Sequence, residues 1–127
     1  MSVALVGTMD TKGEEYGYVR DCLTEIGVAS LVIDVGLLGE PLLPVDVTRH
    51  DVAESAGTSV PALLATGDRA NALTVMGLGA RVVLRDLCAA GRCSGVLALG
   101  GSGGMAVALE ALLDVPFGIP KTLVSTQ

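Results

Sequence analysis

Hydrophobic and polar positions along the chain alternate between a strand-like and a helix-like pattern. Apolar runs at 2–6, 29–35 and 95–99 are built from Val, Leu, Ala and Ile, and a glycine directly follows each of them. Short runs of this kind, bounded by turn residues, are typical of buried parallel strands. Residues 121–126 have a similar composition and predict a fourth strand.

Between these runs, apolar residues recur every three or four positions, which predicts helices over 13–26, 68–90 and 105–113. Thr11 and Glu14 match the T-x-x-E capping box at the start of the first helix, and Gly27 is placed to end it. In the second helix, Gly77 and Gly79 predict a close approach to a neighbouring element.

Residues 36–58 have no clear period and contain three glycines and two prolines. We expect a long, partly irregular excursion, which is a candidate for a functional loop or for contacts with another subunit. His50, the only histidine of the chain, lies within it.

The order of these elements predicts an α/β fold, namely a Rossmann-like, doubly wound and mainly parallel four-stranded sheet with helices on both faces. In the simplest winding, the second strand lies on one side of the first strand and the third strand lies on the other. A chain of 127 residues fits one domain, 1–127. Because no helix follows the last strand, we expect this domain to be truncated relative to a longer protein.

Composition and charge argue against several classes of function. The net charge is −6, and Lys and Arg are scattered singly, so the positive footprint needed for nucleic-acid binding is absent. With no Trp, one Phe and two Tyr, the chain has few aromatic platforms for single strands. Three cysteines without a C-x-x-C, and no secretory or membrane-spanning segment, predict a cytoplasmic protein.

Two loops carry the candidate chemistry: residues 7–13 (GTMDTKG) after the first strand and 100–104 (GGSGG) after the third. Ligands of open α/β sheets bind outside the carboxyl ends of the strands, where the strand order reverses. If the first and third strands are neighbours, both loops face one crevice. The sequence therefore predicts a shared anion site.

The second loop has a physical mechanism for holding phosphate or carboxylate. Backbone amides of Gly101, Gly103 and Gly104 can approach an anion closely at the amino end of the next helix, and the Ser102 hydroxyl adds a donor. The alternative is a tight strand-to-helix turn that packs against a neighbour.

Three known motifs resemble these loops to different degrees. Gly101-x-Gly103-x-x-Ala106 nearly matches a dinucleotide fingerprint, but no acidic residue ends the next strand. The Walker pattern fails because Lys12 precedes Gly13. Residues 100–104 also match the G-x-S-x-G nucleophile elbow, yet no histidine follows Ser102, so that hydrolase hypothesis needs a base from elsewhere.

In the first loop, Asp10 can hold Mg²⁺ through water and Lys12 can meet a phosphate as a point charge. Gly7, Thr8 and Thr11 complete this loop as ligand candidates. The alternative is that Thr11 only caps the helix, while Asp10 and Lys12 are solvated.

Five segments together run in order along the chain: 7–15 (GTMDTKGEE), 34–36 (DVG), 68–69 (DR), 95–104 (GVLALGGSGG) and 118–126 (GIPKTLVST). On these segments the chain resembles the N-terminal part of the Tm-1-like ATP-binding family, also catalogued as UPF0261. The resemblance implies a Rossmann-like region, ATP as ligand, a homodimer and a possible role in binding a protein partner. Met105 departs from the family pattern, which usually has Thr there.

The sequence thus leads to one main hypothesis, ATP binding, alone or with Mg²⁺, and two alternatives. The candidate contacts are Gly7, Thr8, Asp10, Thr11, Lys12, Gly101, Ser102, Gly103, Gly104, Ser125 and Thr126. One alternative is an enzyme that acts on a small carboxylated or phosphorylated substrate through Ser102, Asp10 or Lys12. The other is an interaction domain that dimerises through 36–58 and the helix of Gly77 and Gly79.

Overall fold

The computed structural model describes residues 2–125, with the side chain of Ser102 left out. The elements are β1 (Ser2–Gly7), α1 (Gly13–Glu25), β2 (Ala29–Asp34), α2 (Arg49–Ser55), α3 (Val60–Ala65), α4 (Arg69–Ala89), β3 (Gly95–Gly100), α5 (Ser102–Ala111) and β4 (Lys121–Ser125). Thr126, a candidate ligand contact, lies outside the described residues.

The four strands form one sheet in the order β2-β1-β3-β4, and every neighbouring pair is parallel. This confirms the predicted winding, with β1 between β2 and β3. The register pairs Gly7 with Asp34 and Gly100 with Ser125, so the strands end together at one edge of the sheet.

Helices cover both faces of the sheet, as predicted. Side chains alternate along each strand, so both faces carry apolar residues that need to be covered. Leu5, Val32 and Leu97 point to the face that α1 covers, where they join a small cluster around Tyr16. Ala4 and Ile33 point to the opposite face, where a larger apolar core includes residues of α2, α3, α4 and α5.

Residues 36–58 are partly irregular, as predicted, but their second half contains α2, a helix that the sequence pattern did not predict. Thr48 and Asp51 form a capping box there, since each side chain accepts a hydrogen bond from the other residue's backbone amide. A seven-residue helix is too short to show a period, and its box uses Asp where the pattern has Glu.

The last predicted helix also begins earlier than expected, at Ser102 instead of Met105. Gly103 and Gly104 therefore belong to the first turn of α5 and are not part of a preceding loop. In contrast, Gly27 and Gly91 follow the ends of α1 and α4 and adopt positive φ angles of 79° and 71°. This confirms that Gly27 ends the first helix.

Gly77 and Gly79 bring other helices close to α4, as their positions predicted. A Cβ at Gly79 would collide with the Val52 carbonyl of α2, and one at Gly77 would lie 3.1 Å from the Glu110 Cβ of α5. Both glycines are thus buried within the chain, where they pack against α5 and α2.

Tyr16 joins α1 to both central strands. Its buried hydroxyl accepts a hydrogen bond from the Leu99 amide at 2.7 Å, and it lies within donor distance of the Val6 and Leu99 carbonyls. The phenol occupies space that a Cβ at Gly7 would fill. Burial raises the pKa of Tyr16 to about 12, although the hydrogen bond with Leu99 opposes this shift.

We expect Tyr16→Phe to lower the free energy of unfolding by about 1–3 kcal/mol, because buried backbone groups of β1 and β3 lose their partner. Urea denaturation measures the effect, and Tyr18→Phe on the exposed side of the same helix is the control.

The wild-type protein should also lose stability as the pH rises from 10 to 12, since the folded state holds the phenolic proton more tightly. A Phe variant with the same loss over this pH range would contradict the assignment.

Candidate functional site

The two predicted loops begin side by side at the carboxyl edge of the sheet. Val6 pairs with Ala98, so the segments that follow β1 and β3 leave the sheet as neighbours. Tyr16 fixes them at this point through its contacts with Val6 and Leu99. The adjacency on which the sequence hypothesis depends is therefore confirmed.

The helices that follow these two loops differ from the other three at their amino ends. α2, α3 and α4 are capped by the side chains of Thr48, Ser59 and Asp68. α1 and α5 begin after Lys12 and Gly101, and neither start has a side-chain cap. The first amides of a helix have no partner within it, and at these two ends no side-chain cap occupies them, although Leu42 packs on Gly13 at the start of α1.

The predicted Thr11 capping box is wrong. Its hydroxyl lies 2.6 Å from the Thr8 hydroxyl, and the Thr8 carbonyl accepts hydrogen bonds from the amides of Thr11 and Lys12. α1 begins after this turn at Gly13, as the apolar spacing predicted. Thr11 is exposed and Thr8 and Lys12 are partly exposed, with the Lys12 ammonium 3.7 Å from a Glu15 carboxylate oxygen.

Among the described atoms, three glycines of the second loop are not crowded by a neighbour. A Cβ at Gly101 would meet nothing within 4 Å, and at Gly103 and Gly104 it would make only ordinary contacts, at 3.8 Å or more. None of the three has a positive φ angle. Gly100 differs, because a Cβ there would lie 3.1 Å from the Gly104 backbone.

Asp10 is turned away from the glycine-rich turn and towards the segment after β2. One carboxylate oxygen accepts hydrogen bonds from the amides of Leu38 (2.8 Å) and Gly39 (3.0 Å). The other packs against Gly36, where a Cβ would lie 2.6 Å away, and has no hydrogen-bond partner. Asp10 thus ties the first loop to residues 36–39.

Asp10 also belongs to a buried charged cluster with Asp34 and Arg49. Their side chains are 3%, 1% and 12% exposed. Asp34 accepts hydrogen bonds from Arg49 Nε (3.0 Å) and from the amides of Met9 and Gly36. Arg49 Nη2 lies 3.0 Å from Asp34 and 3.9 Å from Asp10 without hydrogen-bond geometry to either.

Sequence reasoning missed this cluster, because Arg49 and Asp34 are 15 residues apart and only tertiary folding brings them together. The available signal was the glycine at position 36. A glycine two residues after a buried aspartate leaves room for a second carboxylate and supplies an amide to the first.

A cleft of about 460 Å³ lies beside this cluster, beyond the end of β2 and not between the two loops. Its lining residues are Asp34, Leu37, Leu38, Gly39, Glu40, Pro41, Val45, Thr48, Arg49, His50, Val60 and Leu64. A smaller cleft of about 310 Å³ adjoins Gly103 between α4 and α5.

The remaining candidates lie at the same edge or outside the described atoms. Ser125 ends β4 and pairs with Gly100 of β3. Ser102 begins α5, but its side chain is not described. His50 lines the larger cleft on α2, two strands away from the turn that contains Ser102.

No three His, Cys, Asp or Glu side chains among residues 2–125 are grouped so as to hold a metal ion. Within the same residues, every helix is too short or too polar to cross a membrane.

Comparison with known proteins places this arrangement in a family. The model of the "Uncharacterised protein family (UPF0261) N-terminal domain" matches residues 1–127. The chain belongs to the UPF0261 family. This confirms the resemblance inferred from its loop segments.

Bacterial UPF0261 proteins are among its relatives. The protein of Brucella suis biovar 1 is 40% identical and that of Clostridium tetani 38% identical, each over 98% of this chain. The protein of Rhizobium meliloti is 35% identical over the same share. This chain spans only about 30% of the length of these relatives.

We expect Arg49→Met to destabilise the fold by about 3–5 kcal/mol, since it leaves two buried carboxylates without their cation. Thermal and urea unfolding measure the loss. Arg81→Met is the matched control, because Arg81 also pairs with two carboxylates, Glu110 and Asp114, but at the surface. Equal losses in the two variants would show that the buried cluster has no special role.

Proposed function

We propose that this domain binds ATP, with the phosphates on the backbone amides at the start of α5. Gly101, Gly103 and Gly104 supply the amides, and the Thr8–Lys12 turn of the neighbouring strand flanks them. The proposal is supported by the position of both loops at one edge and by the uncapped amino ends of α1 and α5.

One observation carries the proposal: nothing in the described part of the chain requires glycine at positions 103 and 104. Glycine in a helix costs roughly 0.5–1 kcal/mol relative to alanine, and neither crowding nor a positive φ angle at Gly103 or Gly104 explains that cost. The close approach of a ligand to the backbone would explain why glycine is present despite this cost.

The acidic net charge does not oppose this site, because the attraction is local. Amides at a helix amino end and the helix dipole stabilise a phosphate without side-chain charge. Lys12 is the cation available in the first loop, and its side chain is partly exposed.

Asp10 is poorly placed to bind Mg²⁺ at the phosphates. One of its carboxylate oxygens accepts hydrogen bonds from Leu38 and Gly39, and the other is buried against Gly36. The hydroxyls of Thr8 and Thr11 remain as oxygen donors in the loop, so we propose that Mg²⁺ enters with the nucleotide and is held largely by phosphate and water.

We expect Gly103→Ala to stabilise the fold by about 0.5–1 kcal/mol and to weaken ATP binding at least tenfold, because the added methyl group obstructs the backbone. Isothermal titration calorimetry and thermal unfolding measure the two effects. Gly17→Ala is the matched control, since Gly17 also lies in a helix with open space around it. It should give a similar gain in stability with unchanged affinity.

Two results would contradict the proposal. The first is the absence of heat and of thermal stabilisation with millimolar ATP and Mg²⁺. The second is ATP binding that Gly103→Ala leaves unchanged.

We also propose that the protein acts in the cytoplasm as a homodimer. Phe117, Leu123 and Val124 support an interface near β4, because these apolar side chains are exposed. Sedimentation velocity should show a dimer that Phe117→Ser dissociates, and a monomeric wild-type protein at all concentrations would refute this part.

A further inference from the structure

The 460 Å³ cleft beyond β2 has no role in phosphate binding as described above. We propose that it binds the nucleoside part of the same nucleotide, so that base and ribose lie against α2 and α3 while the phosphates lie on α5. This inference rests on the proposed function.

The cleft and the phosphate loop are joined by direct contacts. Asp10, in the loop after β1, holds the amides of Leu38 and Gly39, and both of these residues line the cleft. The Leu42 amide also donates to the Met9 carbonyl at 3.0 Å. Because β1 lies between β2 and β3, one ligand can extend from the start of α5 across the Thr8–Lys12 turn into the cleft.

The size and walls of the cleft suit a nucleoside. Its volume lies within the range of roughly 300–1,000 Å³ that is usual for small-molecule sites. Leu37, Leu38, Val60 and Leu64 provide apolar walls on two sides. A flat, largely apolar base gains from such walls by leaving water.

Polar groups at the bottom of the cleft are already fixed in place. Asp34 immobilises Arg49 through Nε, while Nη2 is buried without a hydrogen-bond partner. The capping box immobilises Thr48. A buried donor that is ion-paired but not hydrogen-bonded, beside a cleft, favours a ligand with hydrogen-bond acceptors, which ribose hydroxyls and base nitrogens provide.

Charge decides which part of the nucleotide enters the cleft. Two carboxylates, Asp10 and Asp34, outnumber the single Arg49 guanidinium, and Glu40 adds a further carboxylate to the lining. A phosphate there would meet an excess of negative charge, whereas the uncharged nucleoside would not. The phosphates therefore belong at the amides of α5.

A double variant, Leu38→Gln with Leu64→Gln, tests the inference with little risk to the fold, because both side chains are more than half exposed. We expect ATP affinity to fall about tenfold or more, while the affinity for inorganic tripolyphosphate stays within twofold. Leu78→Gln with Leu109→Gln, on exposed positions of α4 and α5, is the matched control and should change neither. Calorimetry gives both affinities.

Adenosine alone provides a second measurement that does not depend on the phosphate site. Titration followed by amide NMR shifts should map adenosine to 37–41, 48–50 and 60–64. Shifts confined to the cleft between α4 and α5, or none at millimolar adenosine, would overturn the inference. Equal affinities of the wild-type chain for ATP and for tripolyphosphate would also overturn the inference, but this result would leave the proposed phosphate site standing. Binding of adenosine without tripolyphosphate would refute the phosphate site but keep the cleft.

Discussion

The phenol of Tyr16 is the contact on which the arrangement of the carboxyl edge depends. It fills the space that Gly7 leaves open and meets backbone atoms of both β1 and β3. The two loops diverge from this point, one towards α1 and the other towards α5. Through Tyr16, α1 thereby sets the distance between the two loops that follow β1 and β3.

Glycines at this edge fall into two groups with different physical causes. Gly7 and Gly36 make room for buried side chains of the same chain, Tyr16 and Asp10, so they shape the interior. Gly101 and Gly103 meet open space or only ordinary contacts among the described atoms, and the proposed function attributes them to a ligand. The sequence alone does not separate these groups, because both read as glycine after a strand. Only the surroundings of the missing Cβ distinguish them.

Much of the fold follows from local pattern. The apolar runs and their closing glycines indicate the first three strands, and right-handed crossovers place β1 between β2 and β3. The pattern fails where elements are short, as in α2, and where a turn competes with a cap, as between Thr8 and Thr11. At the candidate site, the position of the two loops and of their backbone amides could be predicted from the sequence. The partners of Asp10 could not be predicted, since Leu38 and Gly39 reach it only through tertiary folding.

The enclosed ion cluster has a consequence for how this family can change its sequence. Removing one residue from a buried cluster of charged side chains strongly lowers the stability of the fold. Replacing all of the charged residues by apolar residues of similar volume is often tolerated. Asp10, Asp34 and Arg49 should therefore covary, with homologues keeping the whole set or losing it together. A sequence drifting one residue at a time would have to cross a poorly folded intermediate, so the cluster is expected to persist through inheritance even where ligand preference diverges.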